Sequence, residues 1–264
     1  MTSDGFLLCG HGSRDPVSVA GFARIARGLA PLLPGRPFAH GFMELAEPDL
    51  DTAIGGLVRD GVGRILAVPG FLFAARHMRE DLPRELAAAS ARHGVEVVLG
   101  RELGADPRLV EALGDRLSAL IPAQAGIQDP RDPDVALESR GRGNDGEGMA
   151  LVLVGAGSSD PDTNAGLCGL CDELGRIHGL AAIACYASVA TPTVAQAIET
   201  MLDQGHRRIL LLPWFLTEGS LLGLARTQAR AAVGDRAVLL EAAALGPHPR
   251  VLATLADRAK ELAR

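Results

Sequence analysis

The sequence predicts an α/β protein built from two copies of one doubly wound parallel-sheet domain, facing each other across a central cleft. An internal duplication and, within each copy, short apolar runs that alternate with helical patterns support this prediction. The runs are almost entirely apolar, which is typical of a parallel sheet buried on both faces. Regular alternation of strand and helix in turn indicates a doubly wound domain.

Three pairs of similar segments reveal the duplication. The first pair shares six of eleven residues and the second shares seven of twelve, and the offsets are 145, 144 and 142 residues. Three collinear matches at nearly one offset are not expected by chance, so the chain repeats itself. The pairs are 6–16 with 151–161, 61–72 with 205–216, and 106–113 with 248–255.

The duplication defines the expected domain organisation. We predict a first domain at 1–121 and a second at 149–264. The segment between them, 122–148, is rich in Gly, Pro and Asp and has no aromatic residue, which predicts a flexible linker.

The elements of the first copy follow in order from these patterns. Its strands are predicted near 6–9, 38–43, 64–69 and 95–99, and its helices near 17–33, 48–60, 78–93 and 106–120. Pro16, Pro48 and Pro107 each stand at a plausible first helical turn. In the second copy, the apolar runs at 151–154 and 209–212 are predicted to be buried strands equivalent to 6–9 and 65–68.

Composition excludes several classes of function. The net charge of −6 argues against a general nucleic-acid or anionic-membrane binder. The first residues lack the basic and apolar regions of a signal peptide, and no stretch is apolar enough to span a bilayer. With only four cysteines in 264 residues, we expect a reduced, cytoplasmic protein.

Chemically active side chains follow three successive strands of the first copy. His11 follows the first strand, Glu44 the second and His77 the third. The carboxyl ends of parallel strands share one edge of the sheet, where ligands of open α/β sheets bind. Two imidazoles and a carboxylate can hold a divalent transition metal or take up protons near neutral pH. The glycines on both sides of His11 are interpreted as room for a bulky ligand to approach the backbone.

The second copy serves as an internal control for these three residues. It has Ala156, Ser188 and Leu221 at the equivalent positions, although the surrounding Gly, Ser, Asp, Pro, Phe and Leu residues persist. If the three were needed for folding, the second copy would need them too. We therefore expect one catalytic half and one structural half.

The motifs GHGSRDP, GFMELAEP and PGFLFAARHMREDLP resemble those of the sirohydrochlorin chelatases of the CbiX/SirB family, the class II chelatases. The resemblance covers both copies and so corresponds to the long, two-domain form with a chelatase-like fold. It implies insertion of cobalt or ferrous iron into sirohydrochlorin without ATP. It also implies that His11, Glu44 and His77 are the catalytic and metal-binding residues.

From this resemblance we expect a metal chelatase of cobalamin or siroheme biosynthesis, with Co²⁺ favoured and Fe²⁺ as the second ion. No organic cofactor is expected, and the divalent metal ion is a substrate. We expect a monomer, since the duplication supplies both halves of the cleft. The alternative is a metal or tetrapyrrole carrier without turnover. Which of the three residues accepts protons stays open.

Cations should line the cleft, because sirohydrochlorin carries many carboxylates. Arg14, Arg76 and Arg79 flank the two histidines and are the predicted substrate-binding residues. His40 is a weaker candidate for a supporting role near the site.

Two other patterns suggest chemistry but are given structural interpretations. The GHGS segment could suggest a hydrolase, but it lacks the G-x-S-x-G elbow, and Ser13 persists as Ser158 in the second copy. A turn or capping role is therefore expected for Ser13. Cys168 and Cys171 form a C-x-x-C pair without a second pair, so we interpret them as two packed thiols.

Overall fold

The computed structural model describes 3–73, 76–104, 106–120 and 148–263, and of 76–78 it describes the backbone alone. The predicted linker lies outside the described residues except for Gly148. The proposed domain boundaries therefore stay predictions.

The first half forms a parallel sheet with helices on both faces. Its strands are β1 (Ser3–Gly10), β2 (Phe38–Phe42), β3 (Val62–Pro69) and β4 (Glu96–Leu99), and its helices are α1 (Pro16–Leu29), α2 (Leu50–Arg59), α3 (Arg76–His93) and α4 (Pro107–Ser118). The strand order is β2-β1-β3-β4, with every pairing parallel. The central position of β1 places the segment that follows it at the middle of the carboxyl edge.

The second half repeats this topology element by element. Its strands are β5 (Met149–Gly155), β6 (Ala181–Tyr186), β7 (Arg208–Pro213) and β8 (Val238–Glu241), and its helices are α5 (Pro161–His178), α6 (Val194–Asp203), α7 (Ser220–Val233) and α8 (Pro249–Leu262). The order β6-β5-β7-β8 is again wholly parallel. The predicted duplication, the doubly wound architecture and the buried strands at 151–154 and 209–212 are confirmed.

Two of the three prolines that were predicted to stand in the first turn of a helix do so. Pro16 and Pro107 are the first residues of α1 and α4, as predicted. The prediction for Pro48 is wrong, because Asp49 caps α2 and accepts from the backbone N–H of Thr52. The carbonyl of Pro48 instead accepts from the N–H of Phe42, which ties this residue to the end of β2.

The two halves share one hydrophobic core. Side chains of α1 and α4 pack with those of α5 and α8 in a single cluster that includes Phe22, Leu113, Leu174 and Leu255. The opposite face of each sheet has its own smaller core, beneath α2 and α3 in one half and beneath α6 and α7 in the other. None of the helices in the described part of the chain is long and apolar enough to cross a membrane.

Reciprocal hydrogen bonds surround the shared core. Arg116 of α4 donates to the carbonyl of Leu245 at 2.9 Å. At positions 142 residues away, Arg258 of α8 donates to the carbonyl of Leu103 at 3.2 Å. Exchanging the two halves would therefore turn one of these hydrogen bonds into the other.

Two ion pairs show the same reciprocity. Arg108 bonds Asp257 at 2.6 Å, and its equivalent, Arg250, bonds Asp115 at 3.0 Å. In an interface with two-fold symmetry, each contact between two residues is repeated by the equivalent residues with the halves exchanged. The halves are therefore related by a pseudo-two-fold axis.

Asp106 is the most strongly perturbed carboxylate of this interface. It caps α4 through the N–H of Arg108, and it also bonds the side chains of Arg108 and of the buried Arg258. Hydrogen bonding to Arg108 is the largest cause that lowers the Asp106 pKa from 3.8 to about 2.

Replacing Asp106 by Asn should lower the free energy of unfolding by on the order of 2 kcal/mol at pH 7, because Asn keeps the helix cap but removes the charge. The folded-state pKa is depressed, so this contribution is present above pH 3.8 and is lost as the pH falls toward 2. Urea denaturation of both proteins at several pH values from 7 to 3 should show the two curves converging. Asp49→Asn, at the cap of α2, is the matched control and should change little; equal losses in both variants would contradict the prediction.

Candidate active site

His11 and Glu44 lie side by side at the carboxyl edge of the first sheet. The N–H of Met43 donates to Gly10 and that of Glu44 donates to His11, which extends the β1–β2 pairing beyond both strands. As a result, Nδ1 of His11 is 3.6 Å from Oε1 of Glu44. Their side chains are 44% and 57% exposed, so a metal ion and its remaining ligands can reach both.

His77 lies in the first turn of α3, which follows β3 on the other side of β1. Its side chain, like that of Arg76, lies outside the described residues. The three predicted segments thus meet at one sheet edge, and the metal-binding role of the three residues stays a prediction. Among the residues that the structure describes, no group of three His, Cys, Asp or Glu side chains could hold a metal ion.

The backbone of the protein itself requires glycine at position 12. Gly12 has φ +98°, and a Cβ there would overlap the carbonyl oxygen of Glu44. At Gly10 a Cβ would lie 2.9 Å from the rings of Phe22 and Phe42. Gly12 therefore lets the His11 and Glu44 loops touch, and Gly10 makes room for the two rings. The interpretation that these glycines also give a ligand room at the backbone stays a prediction.

The second half keeps this backbone and changes its chemistry. The N–H of Ser188 donates to the carbonyl of Ala156, and Gly157 has φ +88°, where a Cβ would overlap the carbonyl oxygen of Ser188. The loop therefore folds identically with Ala and Ser in place of His11 and Glu44.

Ser13 has the turn role expected from the sequence. Its Oγ accepts from the N–H of Asp15 at 3.0 Å, and Ser158 accepts from Asp160 at the same distance in the second half. A hydroxyl used identically in both halves supports a structural role and gives the hydrolase alternative no support.

The His11 loop is also attached to the second half. Asp15 caps α1 with one carboxylate oxygen and accepts from the hydroxyl of Ser220 at 2.6 Å with the other. This bond is the largest cause of a lowered pKa at Asp15. Nearby, the hydroxyls of Ser18 and Thr217 lie 3.0 Å apart. The second half thereby helps to position the loop that carries His11.

A cleft of about 330 Å³ opens between the halves beside His11. Most of its wall is apolar and belongs to the second half, including Ala156, Tyr186 and Trp214. Phe73 of the first half faces Trp214 with ring centroids 5.4 Å apart. Sequence reasoning did not single out Tyr186 or Trp214; the replacement of glycine in PGFL by tryptophan in PWFL was the available signal for Trp214.

Of the three predicted substrate-binding arginines, the structure describes the side chains of Arg14 and Arg79. Arg14 is exposed on the loop that follows His11. Arg79 is 53% exposed and lies 3.7 Å from Glu102. An exposed ion pair of this kind contributes little to stability, so Arg79 is able to leave it for a substrate carboxylate.

The structure also locates the two cysteines of the C-x-x-C pair and His40. Cys171 is buried, which raises the pKa of its thiol to about 12, but Cys168 is exposed, so its interpretation as a packed thiol is wrong. Cys168 instead lies 3.5 Å from the hydroxyl of Tyr186. His40 packs against the rings of Phe22 and Phe42, and burial lowers its pKa.

The chain is similar to known proteins over most of its length. The family model described as CbiX matches residues 5–120 and again 150–262. A sirohydrochlorin ferrochelatase of Priestia megaterium is 26% identical over 84% of this chain and 76% of the relative. A sirohydrochlorin cobaltochelatase of Methanothermobacter thermautotrophicus is 34% identical over 44% of this chain and 92% of its own. The structure of SirB from Bacillus subtilis with Fe³⁺ shares the fold, with a TM-score of 0.77, 23% identity and coverage of 99% and 96% of the two chains.

Gly12→Ala and Gly157→Ala form a matched pair that tests the local geometry. Both should lower the free energy of unfolding by more than about 1 kcal/mol, because alanine is strained at positive φ and its Cβ would displace a carbonyl. Only Gly12→Ala should weaken Co²⁺ binding, measured by cobalt absorption bands, since only that loop carries His11. Equal weakening by Gly157→Ala would show that the metal site is not where we place it.

Proposed function

The chain belongs to the CbiX family, and from this premise we propose that it inserts a divalent metal ion into sirohydrochlorin without ATP. The observation that best supports this proposal is the half-exposed His11–Glu44 pair beside an apolar cleft, present in one half of a duplicated fold and replaced in the other. We keep Co²⁺ as the favoured ion and Fe²⁺ as the second; imidazole and carboxylate ligands suit both, so the ligand set does not choose between them.

His11 and Glu44 would bind the incoming metal as a substrate, and His77 would complete the set from α3. Both described side chains are exposed enough to leave coordination positions for water and then for the macrocycle. A resident structural metal is bound in a closed site, whereas a metal in transit needs open positions. The site we infer is of the open kind.

Insertion also releases the pyrrole N–H protons of the macrocycle. An imidazole or a carboxylate beside the metal can accept them near neutral pH. Nδ1 of His11 and Oε1 of Glu44 lie 3.6 Å apart, so both candidate acceptors would stand beside the same metal ion. Glu44 has the further role of neutralising part of the charge of the ion.

The carboxylates of sirohydrochlorin would be bound by arginine at the edges of the cleft. Arg14 follows His11 in the chain, while Arg76 and Arg79 lie in the first turn of α3 beside His77. Arginine suits this task because its planar group bonds a carboxylate through two N–H donors.

Several finer assignments stay predictions from the sequence. They are the choice between cobalamin and siroheme biosynthesis, the cytoplasmic location, the monomeric state and the independence from an organic cofactor.

His11→Ala and His77→Ala should each reduce metal insertion by at least about 100-fold while leaving the fold intact. Ala156 and Leu221 occupy the equivalent positions of the second half, so the backbone accepts both kinds of residue. Insertion is followed by the absorbance change of sirohydrochlorin with Co²⁺, and Ser188→Ala is the control in the other half.

The stoichiometry of metal binding gives a second test. The wild type should bind one equivalent of Co²⁺, and the double mutant that combines His11→Ala with His77→Ala should lose it.

Two outcomes would contradict this assignment. Near-wild-type insertion in both histidine variants would place the chemistry elsewhere. Wild-type insertion no faster than a protein-free control would favour the carrier alternative.

Arg76→Ala and Arg79→Ala should raise KM with a smaller effect on kcat, as expected when a contact to a non-reacting part of the substrate is lost. Added salt should have a similar effect on the wild type, because charge attraction is screened within about 8 Å at physiological ionic strength. Arg59→Ala, at the opposite edge of the first sheet, is the control and should leave KM unchanged. If the α3 variants behave like Arg59→Ala, the carboxylates are bound elsewhere.

A further inference from the structure

We propose that Asp15 is a positioning residue of the metal site, because it caps two helices at once, one in each half, and so holds the loop of residues 11–15 against the second half. The inference rests on the proposed function and names a residue that the metal site needs although it does not touch the metal. It gives the second half a part in metal binding, although the predicted metal ligands all belong to the first half.

The two carboxylate oxygens of Asp15 have different partners. Oδ1 accepts from the backbone N–H of Val17 at 2.9 Å and so caps α1. Oδ2 accepts from the hydroxyl of Ser220, the first residue of α7, at 2.6 Å. The bond to this hydroxyl is the largest cause of the lowered pKa of Asp15, and the backbone N–H groups of Val17 and Ser220 contribute to it. One carboxylate therefore serves the first turns of two helices.

Helix α7 lacks a cap of its own. The residue before it is Gly219, and no side chain of the preceding segment caps the helix. The N–H groups of a first helical turn need acceptors and carry partial positive charge, so a carboxylate is favourable there. Asp15 supplies this carboxylate from the other half. Glycine lets the segments approach, since a Cβ at Gly219 would lie 3.1 Å from the Cβ of Ser18 and 3.5 Å from the Asp15 carboxylate.

The equivalent aspartate of the second half uses its second oxygen differently. Asp160 caps α5 by accepting from the backbone N–H of Asp162 at 3.1 Å. Its Oδ2 accepts from the hydroxyl of Thr163 at 3.2 Å, within the same helix. The capping turn is thus common to both halves, whereas the bond of Oδ2 lies inside one helix in the second half and crosses between the halves in the first.

The neighbouring contacts between the halves show the same contrast. A Cβ at Gly21 of α1 would lie 3.0 Å from the methyl group of Thr217, and one at the equivalent Gly166 of α5 would lie 3.3 Å from the ring of Phe73. The hydroxyl of Thr217 also lies 3.0 Å from that of Ser18. The contact is therefore polar on the side of the metal site and apolar on the other side. Hydrogen bonds fix direction and distance, whereas apolar contact is not directional.

His11 depends on such an attachment because little else holds it. Gly10 and Gly12 flank it, and glycine leaves the backbone free and adds no side chain to the packing. The loop is fixed at its start, where the carbonyl of His11 accepts from the N–H of Glu44 at 3.0 Å. Asp15 fixes its end. A metal site tolerates only small displacements of its ligands, so the groups that orient them affect affinity.

Binding of Co²⁺ alone, measured by cobalt absorption bands, tests the proposal without sirohydrochlorin or turnover. Asp15→Asn keeps one oxygen for the cap of α1, but its amide group cannot accept from the N–H of Ser220. Ser220→Ala removes the hydroxyl at an exposed position, so the fold should persist. Each variant should raise the Kd for Co²⁺ about tenfold, the lower end of the effect of residues that orient metal ligands. Ser220→Thr keeps the hydroxyl and should bind like the wild type.

Asp160→Asn is the matched control, because it changes the same turn of the other half and should leave the Kd for Co²⁺ unchanged. The double variant that combines Asp15→Asn with Ser220→Ala should bind Co²⁺ no more weakly than the weaker single variant. Both changes remove the same interaction, and their effects are then not additive.

Three outcomes would overturn the proposal. The first is a lower thermal midpoint of Asp15→Asn with a wild-type Kd, which would show a purely structural role. The second is equal weakening by Asp160→Asn. The third is a wild-type Kd in Ser220→Ala, which would confine the effect of Asp15 to the first half.

Failure of the proposed function would look different. His11→Ala would then bind Co²⁺ as tightly as the wild type, and the metal site itself would lie elsewhere. If only the present inference fails, His11→Ala still loses Co²⁺ binding, and the variants of Asp15 and Ser220 bind the ion like the wild type.

Discussion

The apolar face that the two halves share is the constraint on which the rest of the structure depends. Each sheet covers one face with its own helices, and the helices on the other face pack against the opposite half in one continuous cluster. Exposing that cluster to water would be opposed by roughly 25 cal/mol for each Å² of apolar surface. The halves are thereby fixed in one relative orientation, and the cleft between them has a defined shape.

Polar contacts around that core determine how the two halves are aligned with each other. The guanidinium groups of Arg116 and Arg258 bond carbonyls across the interface in a reciprocal arrangement, and the buried Arg258 is neutralised by Asp106. A buried charge without its partner would be strongly destabilising, which makes any other docking of the halves unfavourable. On the cleft side, the bond between Asp15 and Ser220 connects the His11 loop to the second half. The position of the candidate metal ligands therefore depends on both halves, although both described ligands belong to one.

The duplication also places one backbone turn in two chemically different settings. At the carboxyl edge of the sheet, the first half has His11 and Phe22 where the second half has Ala156 and Leu167. The glycine turn is the same in both, because Gly12 and Gly157 allow the same close approach of two loops. One backbone thus supports two different chemical surfaces.

The sequence by itself determined the duplication, the order of strands and helices, and the placement at one sheet edge of the segments that carry His11, Glu44 and His77. These features follow from local periodicity and from the geometry common to all parallel sheets. It did not determine where Pro48 lies relative to α2, why Gly12 is required, or that Cys168 is exposed. Those depend on contacts with other segments, such as the one between Gly12 and the carbonyl of Glu44. The size of the cleft and the pairing of Phe73 with Trp214 were decided only by the tertiary structure, because they arise where residues more than 100 positions apart are packed together by the shared core.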